Sequence, residues 1–191
     1  KPSPPSSASP MHSRTPLSNA PLPDSALPDA ALPDAVLPDA ARRAAETRMH
    51  DAIELARGTP AEDVPVGAIV FAPGGEVVGR GVNRREANCD PTAHAEVEAI
   101  RQAAATLGSW RLDGCELVVT LEPCTMCAGA ILGARVRSLV FGAYEPKTGA
   151  VGSVLDALRD PHHLHQVEVR GGVLEAETAA LMSEFFERLR P

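Results

Sequence analysis

Ten of the eighteen prolines stand in the first forty residues, and this unevenness limits what the chain can fold into. Proline lacks a backbone N–H, fixes its own φ and steers the preceding residue away from helix. Residues 1–19 are rich in Ser and Pro without periodicity. Then Leu22-Pro23-Asp24, Leu27-Pro28-Asp29, Leu32-Pro33-Asp34 and Leu37-Pro38-Asp39 repeat at a fixed period. Residues 1–40 are therefore expected to be a disordered Pro/Ala-rich arm, a low-complexity linker. Folding is left to residues 41–191. A body of about 150 residues buries roughly two-thirds of its unfolded surface, enough for one domain without staples.

Aromatic residues make up only 3 % of the chain against 44 % apolar residues, so the core must be aliphatic and Ala-rich. Apolar runs such as Leu117–Leu121 fall far short of the ~20 residues of a membrane helix, and no membrane association is expected. The arm lacks the apolar run of a secretory signal. Its four aspartates against Lys1 and Arg14 also argue against an import peptide. The expected setting is the reducing cytoplasm, where paired cysteines among the four present signify metal more than disulfide. Of the net charge of −7, the arm accounts for the smaller share. The acidic body speaks against a broad electrostatic grip on nucleic acid and leaves room for a local patch or pocket.

From about Ala41 the pattern changes. Met49, Ala52, Ile53 and Ala56 recur at helical spacing, and Gly58 with Pro60 stops the run. Val66–Phe71 and Glu76–Val82 read as a hairpin around Pro73-Gly74-Gly75. Asp90-Pro91 fits an N-cap followed by proline at the first helical position. Val97, Ile100, Ala104 and Leu107 then mark one helical face, closed by Gly108. Glu116–Leu121 is a short apolar strand, Pro123 opens a helix through about Leu132, and Val136–Phe141 is a strand parallel to the first by the crossover rule. Gln166–Arg170 reads as a further strand. The last helix runs from about Glu175 to Arg190, with Leu174, Leu181, Phe185 and Leu189 on one stripe. This order describes a layered α/β domain with a mixed central sheet.

Two short motifs carry the chemistry. His94-Ala95-Glu96 lies at the start of the second helix, and Pro123-Cys124-Thr125-Met126-Cys127 lies where a strand hands over to a helix. Two thiolates and one imidazole suit tetrahedral zinc, and helix N-termini favour thiolate. Two thiolates also neutralise the ion, so water bound there needs a base close by. Successive helical residues turn by about 100°, so His94 and Glu96 converge only at the helix start, where Glu96 serves as acid/base and not as ligand. A closed structural site would need Cys89 or Cys115 as a fourth ligand; both read instead as ordinary free cysteines. Glu122 reads as a brace at the strand–helix junction. His162, His163 and His165 read as solvated or RNA-facing side chains. Arg84, Arg85 and Arg159 are the candidates for a basic patch.

The paired motifs resemble the zinc-dependent nucleoside deaminase signature, H-x-E…P-C-x-x-C. Several flanking runs are similar to the bacterial tRNA-specific adenosine deaminase (TadA-type) branch of the cytidine/deoxycytidylate deaminase superfamily. They are Val64-Pro65-Val66-Gly67-Ala68, Asn83-Arg84, Asp90-Pro91-Thr92-Ala93, Val140-Phe141-Gly142-Ala143 and Lys147-Thr148-Gly149-Ala150. Glu145 and Leu164 depart from that pattern, which has Asp and Asn there. The resemblance covers roughly residues 43–190 and implies a three-layer α/β/α cytidine-deaminase-like fold. It implies one Zn²⁺ per subunit on His94, Cys124 and Cys127, Glu96 as catalytic proton shuttle, and Asn83 as substrate contact. The implied reaction is hydrolytic deamination of adenosine to inosine at the wobble position of a tRNA anticodon, in a homodimer. Two other readings stay open. The acidic net charge favours a deaminase of free bases or nucleosides such as guanine or cytosine. A zinc-stabilised RNA-binding subunit without turnover is the non-enzymatic one.

Overall fold

The computed structural model describes residues 38–190. The expected arm falls almost wholly outside the described residues. Where description begins, Pro38 precedes helix α1 (Asp39–Ala56), so the last Leu-Pro-Asp repeat supplies the helix start. Proline immediately before a helix forgoes a donor that would have no partner there.

The elements follow as β1 (Gly67–Phe71), β2 (Val77–Val82), α2 (Ala95–Leu107), β3 (Glu116–Leu121), α3 (Thr125–Ala134), β4 (Ser138–Ala143), β5 (Glu168–Arg170) and α4 (Glu175–Arg188). The sheet order is β2-β1-β3-β4-β5. The β1–β2 and β1–β3 pairs are antiparallel, whereas β3–β4 and β4–β5 are parallel. The sheet is therefore mixed, as expected, and the β3–α3–β4 crossover makes its pair parallel.

Alternation along the central strands assigns two apolar layers. Ala68, Val70, Leu117, Val119, Leu139 and Phe141 join α2 and α3 in one cluster. Ile69, Phe71, Val118 and Val140 join α1 and α4 in the other. Strands buried on both faces read as unbroken apolar runs, because neither side meets water. The result is the three-layer α/β/α domain.

Three local expectations fail. Asp90-Pro91 does not open α2. The Asp90 carboxylate instead accepts the Thr92 backbone N–H (2.8 Å) and hydroxyl (2.7 Å), a local turn, and the helix starts four residues after Pro91. The face of α2 against the sheet is also not the Val97–Leu107 stripe, whose Leu107 is exposed. It is Ala95, Ala99 and Ala103. Opposite them lie Gly79 and Gly81 of β2, where a Cβ would run into the α2 backbone. The closeness of this contact selects the small residues, while Ile100 packs at the margin of the core and Leu107 is exposed. On α4, Leu181 and Phe185 are buried as expected, but the helix ends at Arg188 and Leu189 lies exposed beyond it.

Candidate metal centre and catalytic pocket

The N-termini of α2 and α3 meet at the end of the sheet where β2 and β3 finish, the usual place for a site in a layered α/β fold. His94 is the N-cap of α2 with φ −79° and ψ 150°, and Cys124 is the N-cap of α3 with φ −74° and ψ 174°. An N-cap side chain commonly turns back onto its own helix. Here neither does; both point across to each other. His94 Nδ1 lies 3.7 Å from Cys124 Sγ and 3.5 Å from Cys127 Sγ, and the three ligand atoms fall within 4.8 Å of one another. Ordinary Zn–S and Zn–N bonds at the tetrahedral angle give an S···N edge of about 3.5–3.6 Å. The donor set therefore fits zinc in both spacing and chemistry.

Charge around the sulfurs follows from burial and mutual hydrogen bonding. A hydrogen bond from the Cys127 thiol, helped by His94, lowers Cys124 to about 3. Cys127, donating to that thiolate and buried, is pushed up. His94 is raised chiefly by its hydrogen bond with Cys124. A metal bound here would displace the thiol protons, since the thiolate is the ligand form.

Neither Cys89 nor Cys115 joins the group. Cys89 is exposed in the 84–93 loop and Cys115 is buried beside β3. With three protein ligands, the fourth position is left to water or substrate, the arrangement of catalytic zinc. Glu96, the second residue of α2, is only 5 % exposed and lines the same cavity. Burial pushes its carboxyl above the usual carboxylate range. Because His94 is extended and not helical, the helical step of about 100° per residue does not separate the two, and both line one cavity.

The cavity holds about 410 Å³, within the roughly 300–1,000 Å³ of small-molecule pockets. Asn83, just past β2, lines it. Its Nδ2 donates to the Val64 carbonyl (3.2 Å), and the buried Oδ1 has no partner among the described residues. The opposite wall is made by Tyr144, Glu145, Pro146 and Thr148, and by Met182 and Phe186 of α4. This second use of α4 escaped the reading of its sequence, although Ala179, Met182, Ser183 and Phe186 recur at i, i+3, i+4 and i+7.

Other candidates lie elsewhere or do other work. Arg85 lines the cavity but pairs with Glu86 at 3.1 Å, and Arg159 pairs with Asp156 at 2.6 Å. Arg84 is exposed. His162 is exposed and bonds Asp160, but His163 and His165 are partly buried against the carbonyls of Ala157 and Val136. Two of the three histidines thus fasten their loop, contrary to the solvated reading.

A family profile for the cytidine and deoxycytidylate deaminase zinc-binding region matches residues 42–143. The chain belongs to this deaminase family. A tRNA-specific adenosine deaminase of Bacillus subtilis is 44 % identical over 146 residues, 76 % of this chain and 90 % of that protein. A tRNA(Ile)-lysidine synthase of Deinococcus deserti is 49 % identical over the same length, and the match spans only 27 % of it. Among solved structures, one from work on A-to-I editing by tRNA:A34 deaminases superposes with TM-score 0.67 at 43 % identity, covering 71 % of this deaminase and 99 % of that chain. A guanine deaminase of Nitrosomonas europaea superposes with TM-score 0.61 at 32 % identity, covering 78 % and 93 %. The zinc cofactor follows from the family and from the fitted His/Cys/Cys group.

Proposed function

We propose that this deaminase hydrolyses adenosine to inosine at the wobble position of a tRNA anticodon, releasing ammonia. The observation that carries the reading is the joining of the His94/Cys124/Cys127 group, buried Glu96 and the unpartnered Asn83 oxygen in one cavity. The tRNA-specific relatives, matched over nearly their whole length, support the choice of substrate.

Zinc held by His94, Cys124 and Cys127 supplies Lewis-acid activation of water. The chain's own groups do the rest. The Glu96 carboxylate takes one proton from water and gives it to the purine ring nitrogen, then carries the second, from the hydroxyl now on the ring, to the departing amine, so that adenosine and water become inosine and ammonia. Its burial at the first turn of α2, on the same cavity as the ligand group, suits a group that must both accept and give a proton. Asn83 Oδ1 accepts a hydrogen bond from the substrate, which holds the base against the metal centre. Tyr144 and Phe186, half exposed at the wall, offer apolar faces to an unstacked loop nucleotide.

A second copy completes the assembly. Helix α3 carries no charged residue, and its Thr125, Gly129 and Gly133 are exposed. A helix apolar all round is ordinarily covered, and a second copy of this chain is the occupant we infer. Among the described residues no helix is long and apolar enough to cross a membrane. Ligand thiols must stay reduced, which supports a reducing compartment, the cytoplasm, as the setting.

The acidic charge and the guanine deaminase likeness favour a second reading, a free-base deaminase. One assay separates the two. The zinc-loaded protein is incubated with an anticodon stem-loop bearing adenosine at the wobble position, beside free guanine and cytidine. Inosine in the stem-loop is expected; ammonia from the free compounds alone overturns the tRNA reading.

A further inference from the structure

We propose that Glu122 is a positioning residue for the deamination, fixing the 144–153 loop as a wall of the substrate cavity and tying that wall to the ligand Cys124. This rests on the deaminase reading above. Glu122 directly follows β3 and is 3 % exposed. Its Oε1 accepts the backbone N–H groups of Val151 (2.9 Å) and Ser153 (3.0 Å). Its Oε2 accepts the N–H of Glu145 (3.0 Å) and the hydroxyl of Ser153. All four donors come from one loop, and that loop contributes Tyr144, Glu145, Pro146 and Thr148 to the cavity.

The same loop is fastened to the metal side. Ala150 N–H donates to the Pro123 carbonyl at 2.9 Å, and Gly149 pairs with Cys124 in an isolated antiparallel bridge. Gly149 has to lack a side chain, since a Cβ there would stand 2.5 Å from the Glu122 carboxyl carbon. The carboxylate and the glycine therefore form one fitted joint.

A buried carboxylate is costly unless donors fill its lone pairs. An apolar side chain would fill the space more cheaply, but it would specify no loop geometry. What this carboxylate secures is the path of the chain around the cavity. Glu122 is thus more than the junction brace its position in the sequence suggested: it borders the cavity beside Cys124, but both its oxygens are engaged by the loop, and it acts through the wall.

The test compares wild-type full-length protein with Glu122→Gln, both zinc-loaded, on the wobble-adenosine stem-loop. The amide keeps one acceptor and turns its other terminus into a donor that faces donors. Loss of a neutral-strength hydrogen bond or two predicts a rise in KM of about fivefold to tenfold with kcat within about twofold. Zinc content stays at the wild-type level. Hydrogen exchange of the Glu145, Val151 and Ser153 amides quickens, while amides of β3 and β4 exchange as before. An unchanged KM overturns the proposal. So does a parallel fall of kcat and zinc content with faster exchange throughout the sheet, which is the mark of a general structural role. If Glu122→Gln does not fold, Ser153→Ala removes one donor only; a KM rise of about twofold to threefold is expected and an unchanged KM overturns. Should the wild type act on free guanine alone, the tRNA reading fails, and the same KM comparison is read on guanine.

Discussion

Cys127 Sγ stands 3.5 Å from His94 Nδ1, although the two residues open different helices and lie 33 positions apart. The contact exists because both helices begin at the same edge of the sheet and direct their first turns inward. Their N-terminal dipoles and free N–H groups favour the anionic sulfurs that a metal needs. Glu96 follows in the first turn of α2 and inherits the same location. Position at a helix start therefore brings together the His/Cys/Cys group and the carboxyl proposed as acid/base.

Replacement of Glu96 by alanine removes the proton carrier and none of the ligands. Glu96→Ala is expected to bind zinc as the wild type does and to lose deamination by roughly 10²–10⁴-fold, the usual contribution of general acid/base catalysis. Metal content and single-turnover assays on one preparation check both halves.

Removal of the metal should cost stability as well as activity. A ligand that binds the folded chain stabilises it by about 4 kcal/mol at a thousandfold excess over its Kd. Chelated protein is expected to melt at a lower temperature and to recover on adding zinc. His94→Ala is expected to melt at the low temperature whether or not zinc is added. Calorimetry with and without chelator decides it.

Among the described residues the Asn83 oxygen has no partner and its Nδ2 gives one hydrogen bond to the Val64 carbonyl, so truncation costs the free protein about 1 kcal/mol. Asn83→Ala is expected to raise KM by about fivefold to tenfold, the equivalent of one hydrogen bond of about 1 kcal/mol. The denaturation midpoint should fall only by the equivalent of the bond to Val64, and steady-state kinetics beside urea unfolding separate the two effects.

At the α2–β2 contact the expectation is the reverse. A Cβ on Gly79 would stand 2.8 Å from Ala103 N and 2.9 Å from Ala103 Cβ. Gly79→Ala is expected to destabilise by about 1–3 kcal/mol or more, as overpacking does. Urea unfolding measures this.

On the outer face of α3, by contrast, a Cβ on Gly129 meets no atom within 4 Å. Gly129→Arg is expected to fold normally and to sediment as a monomer where the wild type sediments as a dimer. A monomeric wild type contradicts the proposed second copy.

Much of this was legible in the sequence, for reasons that differ by element. The strand Glu116–Leu121 was read with its observed bounds, because burial on both faces leaves an unbroken apolar run. The ligand group was legible because thiol and imidazole spacing is chemistry written in order. The start of α2 was misread, since Asp90 serves equally well as a helix cap or as the anchor of a turn. The inner face of α2 was misread because apolar size pointed to Val97 and Ile100. The true contact is made by alanines against two glycines, and only the partner strand reveals it. The four donors to Glu122 lie more than twenty positions away in sequence, where no local pattern records them.

The most direct measurement is mass analysis of the wobble nucleoside after incubation of the stem-loop with wild-type and Glu96→Ala protein, each carrying one zinc. Inosine with the wild type and intact adenosine with the variant is the predicted result. Inosine formed equally by both, or by neither, would contradict the assignment of a buried carboxyl working beside a three-ligand metal.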